Sequence, residues 1–153
     1  MKFYDTIEKY NDKNITLYVD MDGVIAEYDI GNFDYNTIRP LKSNIKRIEE
    51  LLKNKNISVK ILTVCKTDKI VEEKIDWIKK YMSFFDIDDV IFLSKEKKEY
   101  KGYDSTELKS NYLKTDIDNN NINILVDDDN SIIKYIRKNN PEILVFQVSS
   151  WID

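Results

Sequence analysis

Residues 15 to 19, ITLYV, form an uncharged run of β-branched, aromatic and aliphatic side chains that ends abruptly in Asp20-Met21-Asp22-Gly23. Such a run reads as a strand buried on both faces, as at the centre of a parallel sheet. In an extended chain positions i and i+2 share a face, so Asp20 and Asp22 point into one pocket at the strand's carboxyl end. Gly23 lets the backbone turn there. Two carboxylates so placed suit phosphate chemistry better than packing.

Four further short apolar runs follow: residues 57–63 (ISVKILT), 88–93 (DDVIFL), 122–126 (INILV) and 143–148 (ILVFQV). Between them lie segments of helical period. Pro40 opens one that carries Ile45, Ile48, Leu51 and Leu52 through about residue 55. A second spans 67–84 with Ile70, Ile75, Trp77, Ile78 and Tyr81 on a broad apolar face, and a third spans 131–138. Residues 3–11 read as a short helix or an irregular arm. Residues 26–39 read as a loop over the first strand's end. Residues 94–111 are charged and non-periodic, and read as a loop with one helical turn near Glu107, within a mobile insert over 94–121. Strands alternating with amphipathic helices predict a single α/β domain over 1–153, a three-layer Rossmann-like parallel sheet with helices on both faces. Ligands of such sheets bind at the strands' carboxyl ends.

Composition narrows the chemistry. Histidine is absent and Cys65 is the one cysteine, which removes imidazole catalysis, His- or Cys-built zinc sites and an internal disulfide. A reducing cytoplasm fits that usage. With 24 basic against 28 acidic residues the net charge is −4, so bulk attraction to nucleic acid or an anionic membrane is not expected. No apolar stretch approaches the roughly 20 residues of a membrane span. Carboxylates, lysines and hydroxyls remain, and three strand ends carry them: Asp20 and Asp22, then Thr63, then Asp127-Asp128-Asp129. Carboxylates packed together repel, and a hard divalent cation such as Mg²⁺ holds them and binds phosphate as well.

DMDGV at 20–24 after an apolar strand resembles the first motif of the haloacid dehalogenase-like phosphatase superfamily. The resemblance extends to Thr63 closing ISVKILT, to Lys114 in YLKTDI, and to a strand ending in Asp127 and Asp128; the four motifs fall in order over residues 15–130. It implies Asp20 as nucleophile, Asp22 as acid and then base, Thr63 with the Val64 N–H as phosphoryl ligands, and Lys114 as the charge-neutralising lysine. It implies Mg²⁺ on Asp20, the backbone carbonyl of Asp22 and Asp127, with Asp128 acting through water. Gly23, Val64 and Cys65 would border the substrate. The wording of DMDGVIA, KT and LVDDD is most similar to the 5′(3′)-deoxyribonucleotidase family, which implies a nucleotide substrate. That family's helical cap is minimal or absent here: 24–40 is a short loop in its place, which leaves sugar phosphates or macromolecular phosphates as alternatives and a second subunit as one way to close the site. A non-catalytic phospho-ligand-binding module is the alternative of another class. Asp127 to Asp129 could also simply cap the next helix, Cys65 could be a small filler, and Lys95, Lys97, Lys98 and Lys109 rival Lys114. Tyr28, Phe33 and Tyr35 suit either base stacking or core packing.

Overall fold

Strand β1 (Ile15–Val19) lies at the centre of a five-stranded sheet in the computed structural model, which describes residues 2–152. The other strands are β2 (Ile57–Cys65), β3 (Val90–Ser94), β4 (Ile122–Asp127) and β5 (Ile143–Gln147), in the order β3-β2-β1-β4-β5, all parallel. Because β1 is flanked by β2 on one side and β4 on the other, the chain runs outward in one direction and then in the opposite one. A crevice opens at the carboxyl ends where strand order reverses.

Period-2 alternation sends the two faces of β1 into different layers. Leu17 and Val19 pack with Ile45 and Ile48 of helix α2 (Lys42–Leu51), with Trp77 and Ile78 of α3 (Asp68–Tyr81), and with Phe3 of the short α1 (Phe3–Lys9). Tyr18 faces the opposite layer with Leu62 and Leu125, covered by Leu108 and Leu113 of α4 (Ser105–Asp116) and Ile132, Ile133 and Ile136 of α5 (Asn130–Asn139). The three-layer parallel arrangement expected from the sequence is therefore present. Among the described residues no helix is long and apolar enough to cross a membrane.

Three local expectations need correction. The largest concerns 94–121, where α4 replaces the expected irregular loop. Its start is a capping box: the Asp104 carboxylate accepts from Glu107 N at 2.8 Å, and Glu107 reaches back to Asp104 N. The DSTE signature was present, but α4 has a weak apolar stripe because it buries a lysine and a serine beside its leucines. Pro40 does not open α2. It pairs with Ala26 in an isolated antiparallel bridge, and the helix begins two residues later. The helix expected over 67–84 stops at Tyr81. Thr67 caps its start by accepting from Ile70 N at 3.2 Å.

The loop over the sheet end is tied down at its base. Glu27 N donates to Arg39 O and Leu41 N to Ile25 O, both at 2.8 Å, and Trp77 Nε1 donates to Ile38 O at 3.0 Å. Tyr35 and Ile38 are buried, while Tyr28, Ile30 and Phe33 are exposed. Replacing Asp104 with alanine removes the cap of α4. The expected cost is about 1 kcal/mol, read in thermal denaturation as a Tm lower by roughly 2–4 °C; an unchanged Tm would show that tertiary packing alone sets the helix start.

Candidate active site

Asp20 follows β1 directly, and its N–H extends the ladder by donating to Val126 O at 3.0 Å. Asp127 ends the neighbouring β4 and is wholly buried. Parallel pairing in register thus delivers two carboxylates to adjacent strand ends. Lys109 enters from α4 with only 3 % of its surface exposed, and its Nζ lies 2.8 Å from Asp20 Oδ1 and 2.8 Å from Asp127 Oδ2. Burial opposes the lysine's charge, but the two carboxylates outweigh it and hold its pKa above the ordinary lysine range.

Asp128 completes the cluster: Asp20, Asp127 and Asp128 offer carboxylate oxygens within 4.8 Å of one another. Three acids share one ammonium. Burial pushes the Asp20 carboxyl well above its usual range; Lys109 opposes that shift and Asp127 adds to it. Asp128 is raised by burial and then by Asp127. The excess negative charge is relieved by a proton or a cation, and an all-oxygen donor set suits a hard divalent ion. Asp129 stands apart. It caps α5, accepting from Ser131 N at 2.8 Å and Ser131 Oγ at 2.6 Å, and those hydrogen bonds hold its carboxyl below the usual range. The helix-cap alternative is therefore realised by Asp129 while Asp127 and Asp128 turn to the cluster.

Gly23 has φ +83°, its N–H donates to Ala26 O at 2.7 Å, and a Cβ at this position would fall on the Asp128 carboxylate. Only glycine permits both the turn and the close approach. The Asp22 side chain lies outside the carboxylate cluster. Its Oδ1 accepts from Tyr35 Oη at 2.6 Å and its Oδ2 from Lys74 Nζ at 3.0 Å. Lys74 also donates to Thr63 Oγ1 at 2.7 Å and to Val64 O at 3.2 Å.

A cavity of about 380 Å³ opens above these groups, lined among others by Asp20, Asp22, Tyr28, Val64, Lys109 and Asp128. Of the residues singled out in the sequence, Asp20, Asp22, Gly23, Val64, Asp127 and Asp128 converge here. Thr63 is wholly enclosed beneath the cavity and held by Lys74. Cys65 is buried, and burial raises its thiol pKa, which fits a filler rather than a reactive group. Lys114 is not brought to the site. It is exposed near the end of α4, five residues and therefore about 140° around the helix from Lys109.

Of the two lysines at the centre, Lys109 stands in the sequence only as one of four rivals to Lys114 and Lys74 is not singled out at all, yet both leave a trace. Lys109 lies in the second turn after the Asp104–Glu107 cap, beside Leu108, so recognising the cap would have placed it on the buried face. Lys74 sits on the apolar stripe of α3 between Ile70 and Ile78. A charge on that stripe requires a buried partner.

No known family profile matches this sequence, and no curated protein is detectably similar to it. Solved structures share its fold. One is the Pnkp1/Rnl/Hen1 complex, with a TM-score of 0.67 and 15% identity over 88% of this chain and 46% of that one. A second is the N-terminal part of BF1531 from Bacteroides fragilis, containing a phosphatase domain complexed with Mg, at 0.61 and 16% over 95% and 38%. A third is the D,D-heptose 1,7-bisphosphate phosphatase of B. bronchiseptica with magnesium and phosphate, at 0.60 and 12% over 80% and 75%. The chain spans under half the length of the first two.

Raised carboxyl pKa values give the metal-free protein stability that is present below about pH 4 and lost as pH rises through the folded-state values of Asp20 and Asp128. A divalent ion restores it and competes with those protons. Thermal denaturation with and without Mg²⁺ should therefore show a stabilisation that grows as pH rises above about 4, reaching about 3 kcal/mol at a hundredfold excess over Kd. A shift that is absent or independent of pH would contradict metal binding by this cluster.

Proposed function

We propose that this chain is an Mg²⁺-dependent phosphomonoester hydrolase of the haloacid dehalogenase-like superfamily, acting through an aspartyl-phosphate on Asp20. The observation that carries the reading is the convergence of Asp20, Asp127, Asp128 and Lys109 at the reversal point of a parallel sheet. The order of the sequence motifs and the fold shared with magnesium-bound phosphatase structures support it.

Asp20, Asp127 and Asp128 would hold the ion, which when bound neutralises phosphate charge and orients a phosphoryl oxygen. Lys109 fixes one Asp20 oxygen and leaves the other to attack phosphorus. As the Asp20 O–P bond forms, the ester P–O bond breaks, and the leaving oxygen takes a proton from Asp22. In the second half, Asp22 takes a proton from water while that water's oxygen attacks phosphorus; the Asp20 carboxylate and inorganic phosphate are released. Val64, on the cavity wall, would support the phosphoryl group through its N–H, with Thr63 enclosed behind it. The lysine role that the sequence motif gave to Lys114 belongs in this mechanism to Lys109.

We assign the substrate class as small phosphate esters, with (deoxy)nucleoside monophosphates first because Tyr28, a residue 63% exposed, lines the cavity and is available to stack on a base. The shortness of the 26–39 loop and its exposed Ile30 and Phe33 favour a second reading in which a larger phosphorylated molecule docks. The first neighbour above comes from an RNA repair complex, which is consistent with that second reading.

Hydrolysis of p-nitrophenyl phosphate should require Mg²⁺ and be lost in Asp20→Asn. Lys109→Ala should lower kcat by ~10²-fold or more, while Lys114→Ala retains near-normal rates. No turnover of this ester, of nucleotides or of sugar phosphates would leave a binding module as the better account.

A further inference from the structure

Asp22 and Thr63 lie on different strand ends, and one side chain joins them. Lys74 is 1% exposed, and the three protons of its ammonium meet three acceptors: Asp22 Oδ2, Thr63 Oγ1 and Val64 O. With every donor used, Lys74 has none to offer a phosphoryl group. Its stabilising value is small, since a buried ion pair is often no better than an apolar side chain of equal volume. A methionine would continue the Ile70–Ile78 stripe of α3 as well. Position 74 thus carries a cation for a reason other than packing.

The second oxygen of Asp22 is fixed from the other side. Tyr35 is buried, like Ile38, in the loop over the site, and its hydroxyl donates to Asp22 Oδ1 at 2.6 Å while its ring lies 5.4 Å from Lys74 Nζ. Asp22 is therefore held at both oxygens, from α3 and from the loop. Thr63 accepts from Lys74, so its own proton is left to point toward another acceptor.

We propose that Lys74 and Tyr35 are positioning residues that set the Asp22 carboxyl for proton transfer to the leaving oxygen and, through Lys74, fix its distance from the strand end that carries Thr63 and Val64. This rests on the phosphatase reading above. In the step concerned, the proton passes from Asp22 to the leaving oxygen as the ester P–O bond breaks, so in this first half-reaction the clamp matters only where the leaving group needs that proton. Loosening it slows release of poor leaving groups and spares release of those whose anion departs unaided, while the water step that follows, in which Asp22 is the base, is common to every ester.

The experiment measures first-turnover release of phenol from phenyl phosphate and of dinitrophenolate from 2,4-dinitrophenyl phosphate, with Mg²⁺ and enzyme in excess over ester, in wild type, Lys74→Met and Tyr35→Phe. Lys74→Met should lower the single-turnover rate on phenyl phosphate by ~10²-fold, and Tyr35→Phe by about tenfold. Both should stay within about threefold of wild type on the dinitrophenyl ester, with KM, taken as the enzyme concentration at half the maximal single-turnover rate, changed by no more than that for either substrate. Should Lys74→Met not fold, Tyr35→Phe decides alone, since it keeps the ring and removes one hydroxyl. Equal losses on the two esters, an effect confined to KM, or wild-type rates in Tyr35→Phe would overturn the positioning role while leaving the phosphatase reading intact. A wild type that hydrolyses neither ester overturns both.

Discussion

The ammonium of Lys109 lies 2.8 Å from a carboxylate oxygen on each of Asp20 and Asp127, and the three residues come from the ends of two adjacent strands and from a helix in the layer covering them. Without the lysine, parallel pairing of β1 with β4 would bring two buried carboxylates together with nothing between them. Removing one partner from such a group costs about 3–5 kcal/mol. That requirement explains why α4 must begin where it does. Its capping box sets the helical register, and the register decides that residue 109 rather than 114 faces inward.

One residue pair at the end of β1 divides into two environments. Asp20 enters a largely buried cluster with Asp127, Asp128 and Lys109, whereas Asp22 is turned toward Tyr35 and Lys74. The separation depends on Gly23, whose missing side chain leaves space for Asp128, and on the loop closed by the Glu27–Arg39 and Leu41–Ile25 hydrogen bonds. A short loop thereby reaches into the site from one side of the crevice while α3 supports it from beneath. In the proposed mechanism this gives Asp20 and Asp22 their separate tasks.

Strong local signals made much of this readable in advance. The uncharged run ITLYV specified a central strand, DMDG its carboxylate end, and alternation of strand and helix periods the layered sheet. What escaped was long-range geometry or a competing local pattern. Residues 94–121 are rich in lysine, and the buried Lys109 and Ser110 break the apolar period of α4, so the helix was hidden by the same residue that ties it to Asp20 and Asp127. Lys74 was overlooked because a 3.6-residue stripe tolerates one polar position without losing its amphipathic character. Pro40 was misread because the bridge to Ala26 that holds it extended depends on where the preceding loop returns.

Formation of a covalent phosphoryl group on Asp20 is the step on which the proposed mechanism turns. Rapid acid quench of the protein during turnover of a phosphate ester with Mg²⁺, followed by peptide mapping, examines it directly. The mechanism predicts a hydroxylamine-labile phosphoryl group on the peptide containing Asp20. Turnover with no covalent phosphoryl, or with the group on a different residue, would contradict it.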